Sequence, residues 1–297
     1  MLRKLLTALV LLALAGFAVF WWLTRPDRVN PAVLAGLSGD AARGEPVFWA
    51  GGCASCHAAP GAEGDARLVL AGGMAFPSPF GTFHAPNISS DPQAGIGGWS
   101  IDQLANAMLH GTSPRGRHYY PAFPFTSYTR AEPQDIADLH AFLQTLPASG
   151  TPSQPHEVGF PFNIRRGLGL WKLLFDRPDW VVPVTGDTLT RGRYLVESLG
   201  HCGECHTPRN ALGGLDYGRW LQGAPTPDGK GKVPALTPDA LTWSEPDIAA
   251  YLKSGFTPEF DSAGGHMADV VQNLSHLPQS DLMAIAAYLK SVPKGAQ

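Results

Sequence analysis

The chain has 297 residues, enough for two domains that each bury a core of their own. Its formal net charge of -3 comes without a basic stripe, which excludes the phosphate-neutralising surface of a nucleic-acid binder. With 27 prolines and 34 glycines but only 16% charged residues, it reads as long loops packed against something apolar, such as a large prosthetic group, and not as a disordered chain.

The N-terminus reads Met1-Leu2-Arg3-Lys4, then an uncharged run over residues 5–23, then Thr24-Arg25-Pro26. The run is long enough to span a bilayer as a helix, with Trp21-Trp22 at the interfacial position. The competing reading is a cleavable signal peptide ending at the small residues Ala13-Leu14-Ala15. Because the apolar run continues past that site, an uncleaved anchor over residues 1–27 is the expectation. Arg3 and Lys4 are balanced by Arg25 and Arg28, so flanking charge alone does not orient the helix.

Beyond it one pattern occurs twice. Arg43-Gly44 opens a segment with helical apolar spacing at Val47 and Phe48 that runs into Cys53-Ala54-Ser55-Cys56-His57, and Arg191-Gly192 opens another, through Tyr194, Leu195 and Val196, into Cys202-Gly203-Glu204-Cys205-His206. Trp99-Ser100 and Trp243-Ser244 head the next helices, with Ser100 and Ser244 as N-caps. Amphipathic helices starting at Asp135 and Asp281 run toward Pro147 and Pro293. The absence of period-2 segments argues against a sheet. The spacing therefore predicts an all-α chain of two tandem, duplicated domains, over residues 28–150 and 186–297. An ordered Pro- and aromatic-rich bridge over residues 151–185 joins them, too apolar for a flexible linker.

The two thiols of a CxxC turn lie on one side of a short helical segment, where they can add to the vinyl groups of haem, and the following His can bind the iron. Zinc, a redox dithiol and a disulfide are the other readings of paired cysteines. None explains a His directly after both pairs, so two covalently attached haems c are expected, on Cys53, Cys56 and His57 and on Cys202, Cys205 and His206. Attachment of this kind follows export. The export segment at the N-terminus therefore places a single span in the bacterial inner membrane, with both haem domains facing the periplasm.

The distal ligands differ between the halves. Nine residues after Pro258 stands Met267, in Gly264-Gly265-His266-Met267, the expected ligand of the second haem; the other readings are a core Met on the next short helix and His266 as ligand. Met283 falls at core spacing. Nine residues after Pro114 stands Phe123, which cannot bind iron. Met108 and His140 fall within helices, and His110 ends one. His118 shares the loop with Phe123 and is the preferred sixth ligand of the first haem, with Met74, His84 or a vacant position as alternatives. A His/His first haem would have the lower potential, and electrons would run from it to the second. Arg165, Arg166, Trp171 and Arg209 are equally readable as propionate partners or as surface residues.

The stretches Phe80-Gly81-Thr82-Phe83-His84-Ala85-Pro86-Asn87-Ile88, Gly95-Ile96-Gly97-Gly98-Trp99 and His118-Tyr119-Tyr120-Pro121-Ala122-Phe123-Pro124-Phe125-Thr126-Ser127-Tyr128 resemble the cytochrome c subunits of membrane-bound bacterial alcohol, gluconate and related dehydrogenases. The resemblance covers almost the whole chain after the first helix. It implies an electron-transfer subunit without substrate chemistry, reduced by a periplasmic dehydrogenase catalytic subunit and oxidised by another cytochrome, an oxidase or a quinone. Such subunits often carry three haem domains where this chain has two motifs, and their loop usually reads Pro-Ala-Met-Pro where this chain has Phe123. The rival reading is a dihaem enzyme, of peroxidase or thiosulfate-oxidising type, with an open first haem as catalytic site.

Overall fold

A computed structural model describes residues 1–226 and 231–293. Residues 227–230 and 294–297, which fall in the expected second domain, lie outside the described residues. Helix α1 (Leu2–Leu23) has no buried residue. By length and composition it is the one helix among the described residues able to cross a membrane. It stops where the Thr24 hydroxyl turns back onto the Phe20 carbonyl, 2.7 Å away.

After α1 come α2 (Pro31–Leu34), α3 (Ala41–Ala50), the single turn α4 (Cys53–His57), strands β1 (Ala75–Ser78) and β2 (Gly81–His84), α5 (Ile101–His110), α6 (Phe125–Tyr128) and α7 (Pro133–Leu143). A bridging stretch follows, with α8 (Leu168–Phe175) in it. The sequence of elements then recurs: α9 (Asp187–Arg193), continuing as a wide π-turn over Tyr194–Leu199, then α10 (Gly203–His206), β3 (Ala224–Pro225), β4 (Lys232–Val233), α11 (Glu245–Ser254), α12 (His266–Leu274) and α13 (Gln279–Ser291).

Helix starts follow the capping chemistry of the sequence. Asp40 caps α3 on the backbone N–H groups of Ala42 and Arg43. Ser100 with Gln103, and Ser244 with Asp247, form capping boxes on α5 and α11, as the N-cap reading required. The expectation of no strands needs a correction. Among the described residues, β1 pairs antiparallel with β2 and β3 with β4. They are too short to show a period, and the first is closed by Gly81 at φ 127, where a side chain is strained.

The Arg-Gly pairs acquire a structural purpose. Helix α3 crosses α7 at Gly44, where a Cβ would lie 2.0 Å from the Asp138 carbonyl oxygen; α9 crosses α13 at Gly192, where a Cβ would lie 2.0 Å from the Ala284 carbonyl oxygen. The neighbouring arginines clamp the same helices by forked pairs, Arg43 on Asp138 at 2.8 and 2.9 Å and Arg191 on Asp281 at 2.7 and 3.0 Å. Burial alone would raise the Asp138 carboxyl. The Arg43 guanidinium, the Asp40 N–H and the Gln134 amide more than offset this and hold it below the ordinary aspartate range. A carboxyl lowered on folding adds stability above its unfolded value of ~3.9, and that stability is lost as pH falls through the folded value. Asp138→Asn is therefore expected to cost about 1–2 kcal/mol at neutral pH. In urea titrations across pH, the gap to the parent should close below about pH 4.

The bridge is pinned along its length. The Asn87 amide donates to the Ser149 and Thr151 carbonyls at 2.7 and 2.8 Å, and Glu157 pairs with Thr82. Arg130 donates to the Arg177 and Asp179 carbonyls. The fully buried Glu197 accepts from the backbone N–H groups of Val181 and Val182 at 2.6 and 3.0 Å.

Candidate haem sites

Each cysteine motif is entered through one residue in the left-handed region, Gly52 at φ 62 and His201 at φ 39. The turn that follows places both thiols ahead of the histidine. The His57 Nδ1 lies 2.9 Å from the Pro86 carbonyl, and the His206 Nδ1 lies 2.7 Å from the Pro234 carbonyl. The backbone carbonyl of each histidine accepts from a glycine N–H at 2.7 Å, Gly72 for His57 and Gly223 for His206. Both glycines have positive φ, 74 and 81, and a Cβ there would meet backbone at 2.5 and 2.8 Å. The sequence reading missed this second layer. Its signal was the recurrence of Ala85-Pro86-Asn87-Ile88 as Val233-Pro234-Ala235-Leu236, reinforced by matching backbone bonds from Ile88 to Leu70 and from Leu236 to Leu221.

A ring that donates Nδ1–H to a carbonyl keeps its Nε2 lone pair free for a metal. Burial also lowers the pKa of both histidines, against the opposing effect of the carbonyl, which favours the neutral ligand form. The four cysteines are free, and burial pushes Cys53 and Cys202 up to about 12 and Cys56 to about 11. Among the described residues no cluster of three or more His, Cys, Asp or Glu side chains forms a metal site by itself. Two thiols and one oriented imidazole per motif fit the proximal half of a haem c site.

On the distal side the two halves differ. Met267 lies in the first turn of α12, half-buried against the core; His266, one residue earlier, is exposed. Its counterpart Phe123 sits among aromatic rings, 5.7 Å from both Tyr119 and Tyr128. His118 is 2% exposed, and its Nε2 lies 2.9 Å from the Thr24 carbonyl at the end of α1; its Nδ1 has no partner. Its charged neighbours are Lys172, Arg166 and Asp27. The ring that was expected on the first iron is therefore used where α1 meets the rest of the chain.

The other candidates have protein surroundings as well. Met108 is buried in α5, the His140 Nε2 donates to the Trp99 carbonyl, and His84 pairs with Glu157. Arg165 donates to the His118 carbonyl, Arg166 to Thr24, Trp171 to the Leu212 carbonyl, and Arg209 to Glu204.

The two motifs are held together by a reciprocal clasp. The third residue of the first motif, Ser55, accepts at 2.5 Å from Asn273 on α12, and Arg67 binds the same asparagine. The third residue of the second motif, Glu204, accepts from Thr126 at 2.8 Å and Ser127 at 3.0 Å on α6. Helix α6 follows Phe123 and α12 carries Met267 in its first turn, so the helix next to each of these two positions grips the other half's motif. Tyr128 donates to the Gly51 carbonyl at 3.0 Å, and Trp49 stacks on His276 at 3.7 Å. Cys56 and Cys205 are close enough to feel each other's charge. Burial would raise the Glu204 carboxyl, but Arg209 and the Thr126 hydroxyl outweigh it and hold it below the ordinary glutamate range.

The family model for cytochrome c matches residues 41–147. A diheme cytochrome c-type protein of Cereibacter sphaeroides is 60% identical over 98% of this chain and 99% of its own length. The chain belongs to the cytochrome c family. The cytochrome is also 35% identical, over 90% of its length, to the gluconate 2-dehydrogenase cytochrome c subunit of Pantoea cypripedii. To the alcohol dehydrogenase (quinone) cytochrome c subunit of Gluconacetobacter polyoxogenes it is 35% identical over 84%. It spans only 61% and 55% of those two subunits.

Proposed function

We propose that this cytochrome is a membrane-anchored dihaem electron-transfer subunit, reduced by a periplasmic dehydrogenase and oxidised by another cytochrome, an oxidase or a quinone. Residues 28–150 and 186–297 form one haem domain each, residues 151–185 bridge them, and residues 1–27 anchor them at the periplasmic face of the inner membrane. A bound haem c supplies a one-electron Fe(III)/Fe(II) couple. Cys53 with Cys56, and Cys202 with Cys205, hold the two haems covalently; His57 and His206 are the proximal ligands, aimed by the Pro86 and Pro234 carbonyls. Met267 is the distal ligand of the second. The reciprocal clasp carries the reading, because it sets the two motifs side by side in a fixed relation, as transfer between them requires. The dehydrogenase subunits that match the chain supply the class of electron donor.

His118 is withheld from the first haem by its bond to Thr24, which leaves the aromatic group around Phe123 on the distal side. Without a sulfur ligand the first haem has the lower potential, and electrons run from it to the second. The same observation favours a second reading, a dihaem peroxidase or thiosulfate-oxidising enzyme with its site at the first haem. Turnover assays separate the two, and carbon monoxide tests the open first haem that both share. The ferrous protein should bind one CO per chain, and His118→Ala should leave spectrum and stoichiometry unchanged. Steady turnover of peroxide or thiosulfate would replace the carrier reading with the enzyme one. A changed low-potential spectrum in His118→Ala would return His118 to the iron.

A further inference from the structure

Helix α8 is built inside out. Leu170, Leu173 and Leu174, at the i, i+3, i+4 spacing of one helix face, are 42, 60 and 61% exposed. The opposite face is occupied: Gly169 lies against Thr24, the Lys172 ammonium donates to the His110 and Gly111 carbonyls, and Phe175 covers Gly214. The preceding loop adds Phe160, Phe162 and Ile164, exposed by 81, 46 and 52%. A polar side chain turned inward with leucines turned outward is the reverse of a water-facing surface helix, and apolar residues so grouped mark an interaction surface.

Its position identifies the occupant. The start of α8 is tied to the end of α1: Arg166 donates to the Thr24 hydroxyl at 2.8 Å and lies over the Trp21 ring at 4.1 Å, while Arg25 lies over Trp22 at 5.3 Å. The exposed leucines thus continue the apolar surface of α1 outward from its Trp21-Trp22 end, the level at which aromatic side chains mark a membrane–water boundary. Arg25, Arg28 and Arg166 at this level match anionic headgroups, with Asp27 among them and Asp176 within electrostatic reach of it. We infer that the outer face of α8 and the loop over residues 160–164 form a second, peripheral contact with the lipid surface, seating the haem-bearing body on the membrane around the exit of α1. This inference rests on the anchor reading of α1.

The test uses the full chain with both haems, in vesicles of phosphatidylcholine and phosphatidylglycerol. Spin labels are placed on a ketone-bearing side chain, which spares the cysteines, at Leu12, Leu173 or the exposed Glu259, and haem absorbance verifies folding. Collision with oxygen relative to a water-soluble nickel chelate should be several-fold higher at Leu12 and Leu173 than at Glu259. A ratio at Leu173 equal to that at Glu259, with Leu12 still high, overturns the lipid contact and leaves the anchor standing. A low ratio at Leu12 overturns the anchor itself. Shelter of Leu173 from both reagents marks a protein occupant and also overturns the inference.

Discussion

Replacing Gly192 with alanine is expected to destabilise the second half by about 3 kcal/mol or more, among the larger effects of a single methyl group. The added carbon would lie 2.0 Å from the Ala284 carbonyl oxygen and 2.7 Å from the Tyr288 Cβ. Neither is the free end of a flexible side chain, so α9 and α13 must part. Tyr288 and Glu197, both fully buried, are hydrogen-bonded beneath this crossing and would lose their packing with it. Gly44→Ala repeats the test in the first half, where the carbon would meet the Asp138 carbonyl at 2.0 Å and the Phe142 Cβ at 2.9 Å. Gly150 has nothing within 4 Å of its would-be Cβ, so Gly150→Ala is the control and should be neutral or slightly stabilising. Urea unfolding of the three variants measures the difference; equal midpoints would show that the helices do not depend on these crossings.

Glu204 is expected to act on both stability and potential. Glu204→Ala leaves two hydroxyls and the Arg209 guanidinium without their acceptor in a site where the carboxylate side chain is 9% exposed. Arg209 is 35% exposed and can be solvated, so the expected loss is about 2 kcal/mol, less than for a fully buried pair. Glu204→Gln keeps an acceptor for Thr126 and Ser127 but removes the negative charge beside the second motif. A negative charge favours the ferric form, so both variants should raise the potential of the second haem, by on the order of 1 kcal/mol of redox free energy. The glutamine variant should do so with the smaller loss of stability. An unchanged potential in both would separate Glu204 from the redox site.

Much of the fold was legible because it is written locally. The motifs, the serine caps and the apolar spacing of α3, α5, α7, α11 and α13 each depend on residues within a few positions of one another. The repeat alone marks Phe123 as the counterpart of Met267. What was not legible depends on partners distant in sequence. The carbonyls that orient His57 and His206 come from Pro86 and Pro234, nearly thirty positions away across loops without a period. The bond from Ser55 to Asn273 crosses 218 positions. His118 is singled out because its loop lacks a methionine; its bond to Thr24 depends on where the end of α1 docks, which no local pattern records.

The central claim is that the two haem sites are alike on the proximal side and unlike on the distal side, so that they form a directed relay. An optical redox titration of the purified full chain tests it most directly. Two one-electron steps of equal amplitude are predicted, the higher carrying the sulfur-to-iron charge-transfer band of Met267 ligation and the lower belonging to the haem that binds CO. A single step, or two haems with the same ligation spectrum at one potential, would contradict it.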